Sequence, residues 1–402
     1  MFLQVLGTRR GQVNPGPAGL CRHFGECGGC SIQNIPYPEQ LGRKKSRVNA
    51  ALSASGLEVQ AAHPSPDLWF YRNKMEFGFS DVHPPRPEGP SLYLGLKPKG
   101  QWRRVLDLQE CRLLSPETPA LLAAVRRWAA QSGLPPYNSV RHVGFLRHLV
   151  VREAKNGGER MVHLITAPGD FPAKPFAATV KEAYPAATIL RGINAKISDT
   201  ALPDSVEILT GTGRITEILR LEGRELRFQI SPASFFQTNT RGAEVLYGIA
   251  RRWAAQAKPE KILDLYCGGG GFALSLADLC EKVVGVESNA AAVADAQENA
   301  AANGVQNAEF YAGQTETLLP ALLDMKLQVA VADPPRAGLH SKAAAALRAG
   351  GPPLLIYVSC NPDALVRDLA ALAPVYRAEQ AEMVDLFPHT EHVETAVLLR
   401  RA

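Results

Sequence analysis

The sequence predicts an α/β fold, with an open sheet in its carboxyl-terminal half and an antiparallel α+β region before it. Three sets of residues carry that expectation. Leu354-Leu-Ile-Tyr-Val-Ser359 is an apolar run of buried-strand length, and Asn361-Pro362 stops it just past Cys360. Lys261-Ile-Leu-Asp-Leu265 is a second short strand that runs through four glycines, Gly268 to Gly271, into a helical pattern. Tyr71 to Ser80, Ser91 to Leu96, Arg147 to Glu153 and Arg160 to Thr166 alternate polar and apolar residues, as antiparallel strands do.

At 402 residues, 46% hydrophobic and 21% charged, the chain has an ordinary globular composition sufficient for two or three domains. The boundaries are expected near residues 60 and 230. That division gives a cysteine-rich segment with a basic helix over 1–60, a central β-rich region over 61–230 and an open α/β domain over 231–402. No run approaches the ~18 apolar residues that span a bilayer, and Met1 to Arg10 acquires charge too soon for a signal peptide. A cytoplasmic monomer without membrane contact is expected. The net charge of +5 permits a polyanionic partner without demanding one.

Seven cysteines is an odd count, and Cys21, Cys27 and Cys30 crowd into one glycine-rich stretch, which in a cytosolic protein favours metal ligation and catalysis over disulfides. Cys111 is the only other cysteine before the carboxyl-terminal half and would supply a fourth ligand. Spacing does not separate tetrahedral zinc from an iron-sulfur cluster, since both accept four cysteines. His23, inside the same loop, reads as a bystander.

Ser31 to Ser53 turns helical and basic, and Arg43, Lys44, Lys45 and Arg47 read as a solvated face. Pro64 to Pro66 and Pro84 to Pro87 read as loop tips. Lys97 to Arg104, with Trp102 among its cations, suits phosphate contact and base stacking, and Arg141, His142, Arg147, His148 and Arg152 add a basic stripe. Ile215 to Ile230 reads as a hairpin turning at Gly223. The amide- and aromatic-rich stretch Ser231 to Asn239 then leads into an amphipathic helix over Arg241 to Ala255.

In the carboxyl-terminal half, the glycines allow close approach of a ligand. The next strand, Lys282 to Val286, ends in Glu287, at the roughly 20-residue distance at which an acid grips ribose hydroxyls in nucleotide folds. The loop is not Gly-x-Gly-x-x-Gly, and Asp264 precedes it, which favours an adenosyl cofactor with a cationic sulfonium over a pyrophosphate one. Leu327 to Ala332 runs into Asp333-Pro-Pro-Arg336, a rigid turn. Asp264, Glu287, Asp333 and Cys360 thus all fall at strand ends, where open α/β sheets place their chemistry.

These residues together resemble the S-adenosylmethionine-dependent RNA uracil-5-methyltransferases of the iron-sulfur type. The likeness is carried by the four cysteines, Ser234-Phe-Phe-Gln-Thr-Asn239, the glycine loop, Asp333-Pro-Pro-Arg-Ala-Gly338, Ser359-Cys-Asn-Pro362 and Phe387-Pro-His-Thr-Glu-His-Val-Glu394, and it covers nearly the whole chain. It implies a Rossmann-like class I methyltransferase domain, with Gln237, Tyr266, Gly268, Glu287 and Asp333 holding S-adenosylmethionine. It further implies Cys360 as nucleophile, Glu394 as general base, and a [4Fe-4S] cluster on Cys21, Cys27, Cys30 and Cys111. The implied partner is RNA, ribosomal in preference to transfer RNA. Many relatives carry an amino-terminal RNA-binding β-barrel, and only about twenty residues precede Cys21, so that module is expected to be absent.

An amino-group methyltransferase is the first alternative, but its Asp-Pro-Pro motif usually continues with an aromatic residue, and Arg336 stands here. The other alternative is a catalytically silent RNA-binding protein, against which Cys360 and Glu394 argue. Should Glu394 not be the base, His389 and His392 are next in the same motif.

Overall fold

The computed structural model describes residues 19–81, 92–101 and 103–402. The amino-terminal residues read against a signal peptide, the proline-rich stretch at 84–87 and Trp102 lie outside the described residues. The fold is mixed α/β, with an open, mostly parallel sheet in its carboxyl-terminal half.

Chain order begins with helix α1 (Tyr37–Leu52) and strand β1 (Val59–His63). Next come β2 (Lys74–Ser80), β3 (Tyr93–Leu96), β4 (Leu106–Asp107), helix α2 (Thr118–Ser132), β5 (Leu146–Glu153), β6 (Arg160–Thr166), helix α3 (Ala173–Ala183), β7 (Thr188–Ile193) and β8 (Ser205–Thr210). A seven-stranded sheet of order β4-β3-β2-β5-β6-β7-β8 forms from these, antiparallel except where β6 meets β7. Helices α2 and α3 pack on it, burying Leu121, Trp128, Phe176 and Val180 against Leu149, Val151 and Val162. The hairpin of β9 (Ile215–Leu221) and β10 (Arg224–Ile230) follows, and it turns through Glu222 and Gly223, both at positive φ.

The last part of the chain comprises helix α4 (Thr240–Ala255), β11 (Lys261–Leu265), α5 (Gly271–Leu276), β12 (Lys282–Glu287), α6 (Ala290–Ala302), β13 (Ala308–Ala312), α7 (Thr315–Leu323), β14 (Val329–Ala332), α8 (Ser341–Gly350), β15 (Leu354–Ser359), α9 (Pro362–Leu372), β16 (Tyr376–Val384) and β17 (Glu394–Arg401). Its sheet runs β1-β16-β17-β15-β14-β11-β12-β13. The strands from β15 to β13 are parallel, with β17 inserted antiparallel beside β15 and β16. Helices cover both faces, so β11, β14 and β15 bury almost every side chain, which explains why they read as continuous apolar runs.

Strand β1 pairs in parallel with β16, more than 300 residues later, and so joins the carboxyl-terminal sheet. Helix α1 packs beside it against α9. Among the described residues, no helix is long and apolar enough to cross a membrane.

Two readings of charge change in the folded chain. Lys44, expected on a solvated helix face, is almost fully buried and donates to Asp385 Oδ1 at 2.7 Å. Within the supposed basic stripe, Arg147 and Arg152 are buried, because β5 lies inside its sheet. Arg147 donates to the carbonyls of Asn194 and Lys196, and Arg152 to those of Pro232 and Ser234. Those guanidiniums brace loops and are not available to phosphate.

Candidate active site

Parallel strands end on one edge, and that edge collects the polar residues. Asp264, in β11, is fully buried. Its Oδ2 accepts from the Ala273 amide at 2.8 Å, whereas its Oδ1 has no partner among the described residues. Burial pushes its carboxyl well above the usual carboxylate range, with the Asp333 and Glu287 charges acting in the same sense. An orphaned buried carboxylate oxygen beside a glycine loop suits a cationic or hydrogen-bond-donating ligand.

The loop itself takes φ values of 65° at Tyr266, 52° at Gly268 and 88° at Gly270. A β-carbon at Gly271 would lie 2.5 Å from the Tyr247 hydroxyl, so close packing favours glycine there. Glu287, at the end of β12, reaches across. Its Oε2 accepts from the Gly268 amide at 3.2 Å, and its Oε1 from the Asn289 amide at 2.8 Å and the Ser288 hydroxyl at 3.0 Å. Tyr266 is half-buried at the start of the same loop. Together the orphan oxygen, the bare glycine backbone and the oriented glutamate fit an adenosyl sulfonium cofactor.

Asp333 follows β14, and Gln237 Nε2 donates to its Oδ2 at 3.1 Å. Gln237 is itself positioned from the other sheet, since Asn73 Nδ2 donates to its carbonyl at 2.7 Å and to Thr240 Oγ1 at 3.0 Å. In the same segment, Phe236 packs into the core against Phe228, while Phe235 is 62% exposed beside Gly268.

Cys360 follows β15, and Glu394 opens β17. The register pairs Ser359 with Thr395, so the next positions outward on the two strands are Cys360 and Glu394. Asp333 stands one strand away, where Ala332 pairs with Tyr357. Beyond Cys360, Asn361 caps α9 and donates from Nδ2 to the Arg336 carbonyl at 3.1 Å, tying the cysteine turn to the Asp-Pro-Pro-Arg turn.

Acids without cations dominate this corner. Among the described residues, neither Asp333 nor Glu394 forms an ion pair. Burial lifts the Asp333 carboxyl to about 7, opposed by its bond from Gln237. Burial, with the Asp333 charge, lifts Glu394 well above the carboxylate range. Cys360 is pushed to about 11 by burial and then by Glu394 and Asp333, with Arg336 pulling the other way. Burial thus shifts each group toward its neutral form, and a cation entering the site would shift it back.

An acid whose folded pKa is raised holds a proton that the unfolded chain would release. The associated stability is present near pH 4 and is lost as pH rises through about 7 for Asp333. Asp333→Asn should therefore gain in melting temperature over the wild type between pH 4.5 and pH 8, by about 2–4 °C per kcal/mol relieved. A difference between the two proteins that does not change with pH would contradict this reading of the pair.

Cys21, Cys27, Cys30 and Cys111 line one cavity, with Gln33, Leu96 and Leu113 around them. Burial raises Cys30 to about 12 and Cys111 to about 11, each with help from the other thiols. The side chain of Arg72 lowers both, a compensating charge that the strand pattern of Tyr71 to Ser80 did not reveal. Amide donors face the sulfurs too, with Gly29 N at 3.3 Å from Cys27 Sγ and Gln33 Nε2 at 3.8 Å from Cys30 Sγ. Among the described residues, no three His, Cys, Asp or Glu side chains close on one point as a single ion requires. The four thiols share this one lined space, with no further discrimination between one ion and a cluster in their spacing. His23 also lines this cavity, and its Nε2 is engaged by the Gln109 amide, which donates to it at 3.1 Å.

Between this centre and the sheet edge runs a broad groove lined by Arg72, Lys74, Lys97, Lys99 and His148 on one side and by Thr390, Glu391 and His392 on the other. The cationic loop over Lys97 to Arg104 thus contributes two lysines to it.

A family model described as tRNA (Uracil-5-)-methyltransferase matches residues 188–402. An RNA methyltransferase of Nitratidesulfovibrio vulgaris is 39% identical over 394 residues, covering 94% of this chain and 82% of its own length. One from Caldanaerobacter subterraneus subsp. tengcongensis is 36% identical over 393 residues, covering 95% and 84%. Among solved structures, the Pyrococcus abyssi tRNA (uracil-54, C5)-methyltransferase in complex with S-adenosyl-L-homocysteine is similar at a TM-score of 0.75 and 30% identity, over 93% of this chain and 86% of that one.

Proposed function

Because the chain belongs to the tRNA (uracil-5-)-methyltransferase family and is an S-adenosylmethionine-dependent RNA methyltransferase, we propose that it methylates carbon 5 of a specific uridine through a covalent adduct of Cys360. What carries the reading is the meeting of a thiol and two buried carboxyls, Cys360, Glu394 and Asp333, at one sheet edge beside a glycine loop.

Carbon 5 of uracil is a poor nucleophile. Addition of the Cys360 thiolate to carbon 6 converts the ring to an enolate, nucleophilic at carbon 5. S-adenosylmethionine supplies the electrophilic methyl group. Glu394 then takes the carbon 5 proton, and the electron pair left behind expels the Cys360 sulfur, restoring the aromatic ring. Gln237, Tyr266, Gly268, Glu287 and Asp333 hold the cofactor in this reading. The target base must leave any stack to reach both groups, and in the groove Lys99 faces the flanking phosphates while Lys74 and Lys97 are paired with Glu76 and Asp199. Cys21, Cys27, Cys30 and Cys111 hold a [4Fe-4S] cluster, supported by their shared cavity and by the Arg72 charge beside it.

Ribosomal RNA, 23S in particular, is the proposed target, approached by a cytoplasmic monomer. A second reading, uridine 54 of transfer RNA, is favoured by the likeness to the Pyrococcus abyssi enzyme. Mapping 5-methyluridine by mass spectrometry in both RNA classes, from cells with and without the protein, separates the two. Loss of one 23S site supports the first reading, loss at position 54 of transfer RNA supports the second, and no loss in either sinks both.

A further inference from the structure

The loop that leads into Glu394 is held by the amino-terminal segment, by Trp69 and Tyr71, and by Asn239, whose Nδ2 donates to the Leu386 carbonyl at 3.0 Å. Ser31 and Ile32, directly after Cys30, both donate backbone N–H groups to the His389 carbonyl, at 2.9 and 3.1 Å. Gln40 in α1 grips the same residue twice. Its Oε1 accepts from the His389 amide at 2.8 Å, and its Nε2 lies 3.3 Å from His389 Nδ1 while donating to the Ile35 carbonyl at 2.7 Å. One turn on, Lys44 donates to Asp385 Oδ1 at 2.7 Å and to the Phe387 carbonyl at 2.9 Å, and the Tyr71 hydroxyl donates to the Pro388 carbonyl at 3.0 Å. Trp69 stacks on the His389 ring at 4.0 Å.

Gln40, Lys44, Asp385 and His389 are all buried, so these bonds are shielded from water. His389 needs them. It stands at φ 67°, a left-handed conformation that a residue with a β-carbon keeps only when its surroundings enforce it. Its ring is packed between Gln40 and Trp69.

We propose that Gln40, together with the backbone of Ser31 and Ile32, is a positioning device that sets Glu394 for proton removal and makes that step depend on the integrity of the four-cysteine centre. Only one peptide link separates Cys30 from Ser31, so displacement of the cysteine loop pulls directly on the His389 carbonyl. Four residues then separate His389 from Glu394. The inference rests on the reading of Glu394 as base and of the cysteines as cluster ligands, and it gives the cluster a role: it clamps the loop that carries the base.

Two measurements test it. In Gln40→Met, kcat should fall on the order of tenfold to a hundredfold, as expected for a misplaced catalytic group, with KM for RNA within about twofold of wild type. Methylated protein–RNA adduct should accumulate, because Cys360 still adds while the later proton removal slows. The second measurement needs no turnover and no substitution in α1. Hydrogen exchange of the 387–394 amides should accelerate at least tenfold in Cys27→Ser, which also loses its cluster absorbance, while β11 and β12 amides keep their protection. Wild-type turnover in Gln40→Met, equal loss of adduct formation and turnover, or unchanged exchange in Cys27→Ser would each overturn the proposal. Absence of adduct in Glu394→Gln as well would instead implicate the underlying reading of the base.

Discussion

Cys360→Ala should reduce methylation by on the order of 10⁴ to 10⁶ in kcat, the scale on which enzymes lose activity when a nucleophile is removed. Without addition at carbon 6 the ring never becomes an enolate, and nothing else at the sheet edge makes carbon 5 nucleophilic. Cofactor affinity should be unchanged, because the glycine loop, Glu287 and Asp333 lie on other strands. Calorimetry with S-adenosylhomocysteine checks that point. The wild-type thiol has its own pH signature. Since burial and the two nearby acids push it to about 11, the thiolate is a minor species at neutral pH in the ligand-free protein. Alkylation of Cys360 should accelerate about tenfold per pH unit from pH 7 upward and level off only near that value. A thiol already fully reactive at pH 7 would mean that Arg336, and not the carboxyls, governs it.

The strand before Cys360 was legible because a parallel strand buried on both faces must be apolar throughout, and Asn361-Pro362 ends it with local chemistry. The hairpin at Gly223 and the glycine loop were legible for the same reason, that a turn's backbone demands are written in the turn itself. What escaped sequence reasoning depends on distant partners. Nothing local in Val59 to His63 announces that it will extend the sheet beside β16. Lys44 belongs to a run of cations, and only Asp385, 341 positions away, makes its burial tolerable. Arg147 and Arg152 looked like phosphate contacts because charge is visible in a sequence and the carbonyls that absorb it are not. The site was legible to the extent that its residues end strands. Glu287 ends its strand, Asp333 and Cys360 directly follow theirs and Asp264 lies one residue short of its strand's end, whereas Glu394 begins an antiparallel strand and was singled out only through the motif around it.

Glu394→Gln separates covalent catalysis from direct methyl transfer, because it removes the base without removing the nucleophile. Glutamine preserves shape and cannot accept the proton, so the reaction should proceed through addition and methylation and then stop. Turnover should fall on the order of 10²-fold to 10⁴-fold, the usual contribution of a positioned base. The measurement is a denaturing gel of substrate RNA with cofactor, followed by mass spectrometry of any slow-migrating band. A band from Glu394→Gln containing protein joined to RNA that has gained one methyl group, absent from Cys360→Ala and scarce in wild type at completion, is the predicted result. Normal turnover by Glu394→Gln, or inactivity without any adduct, would contradict the assignment of Cys360 and Glu394 to successive steps of one covalent mechanism.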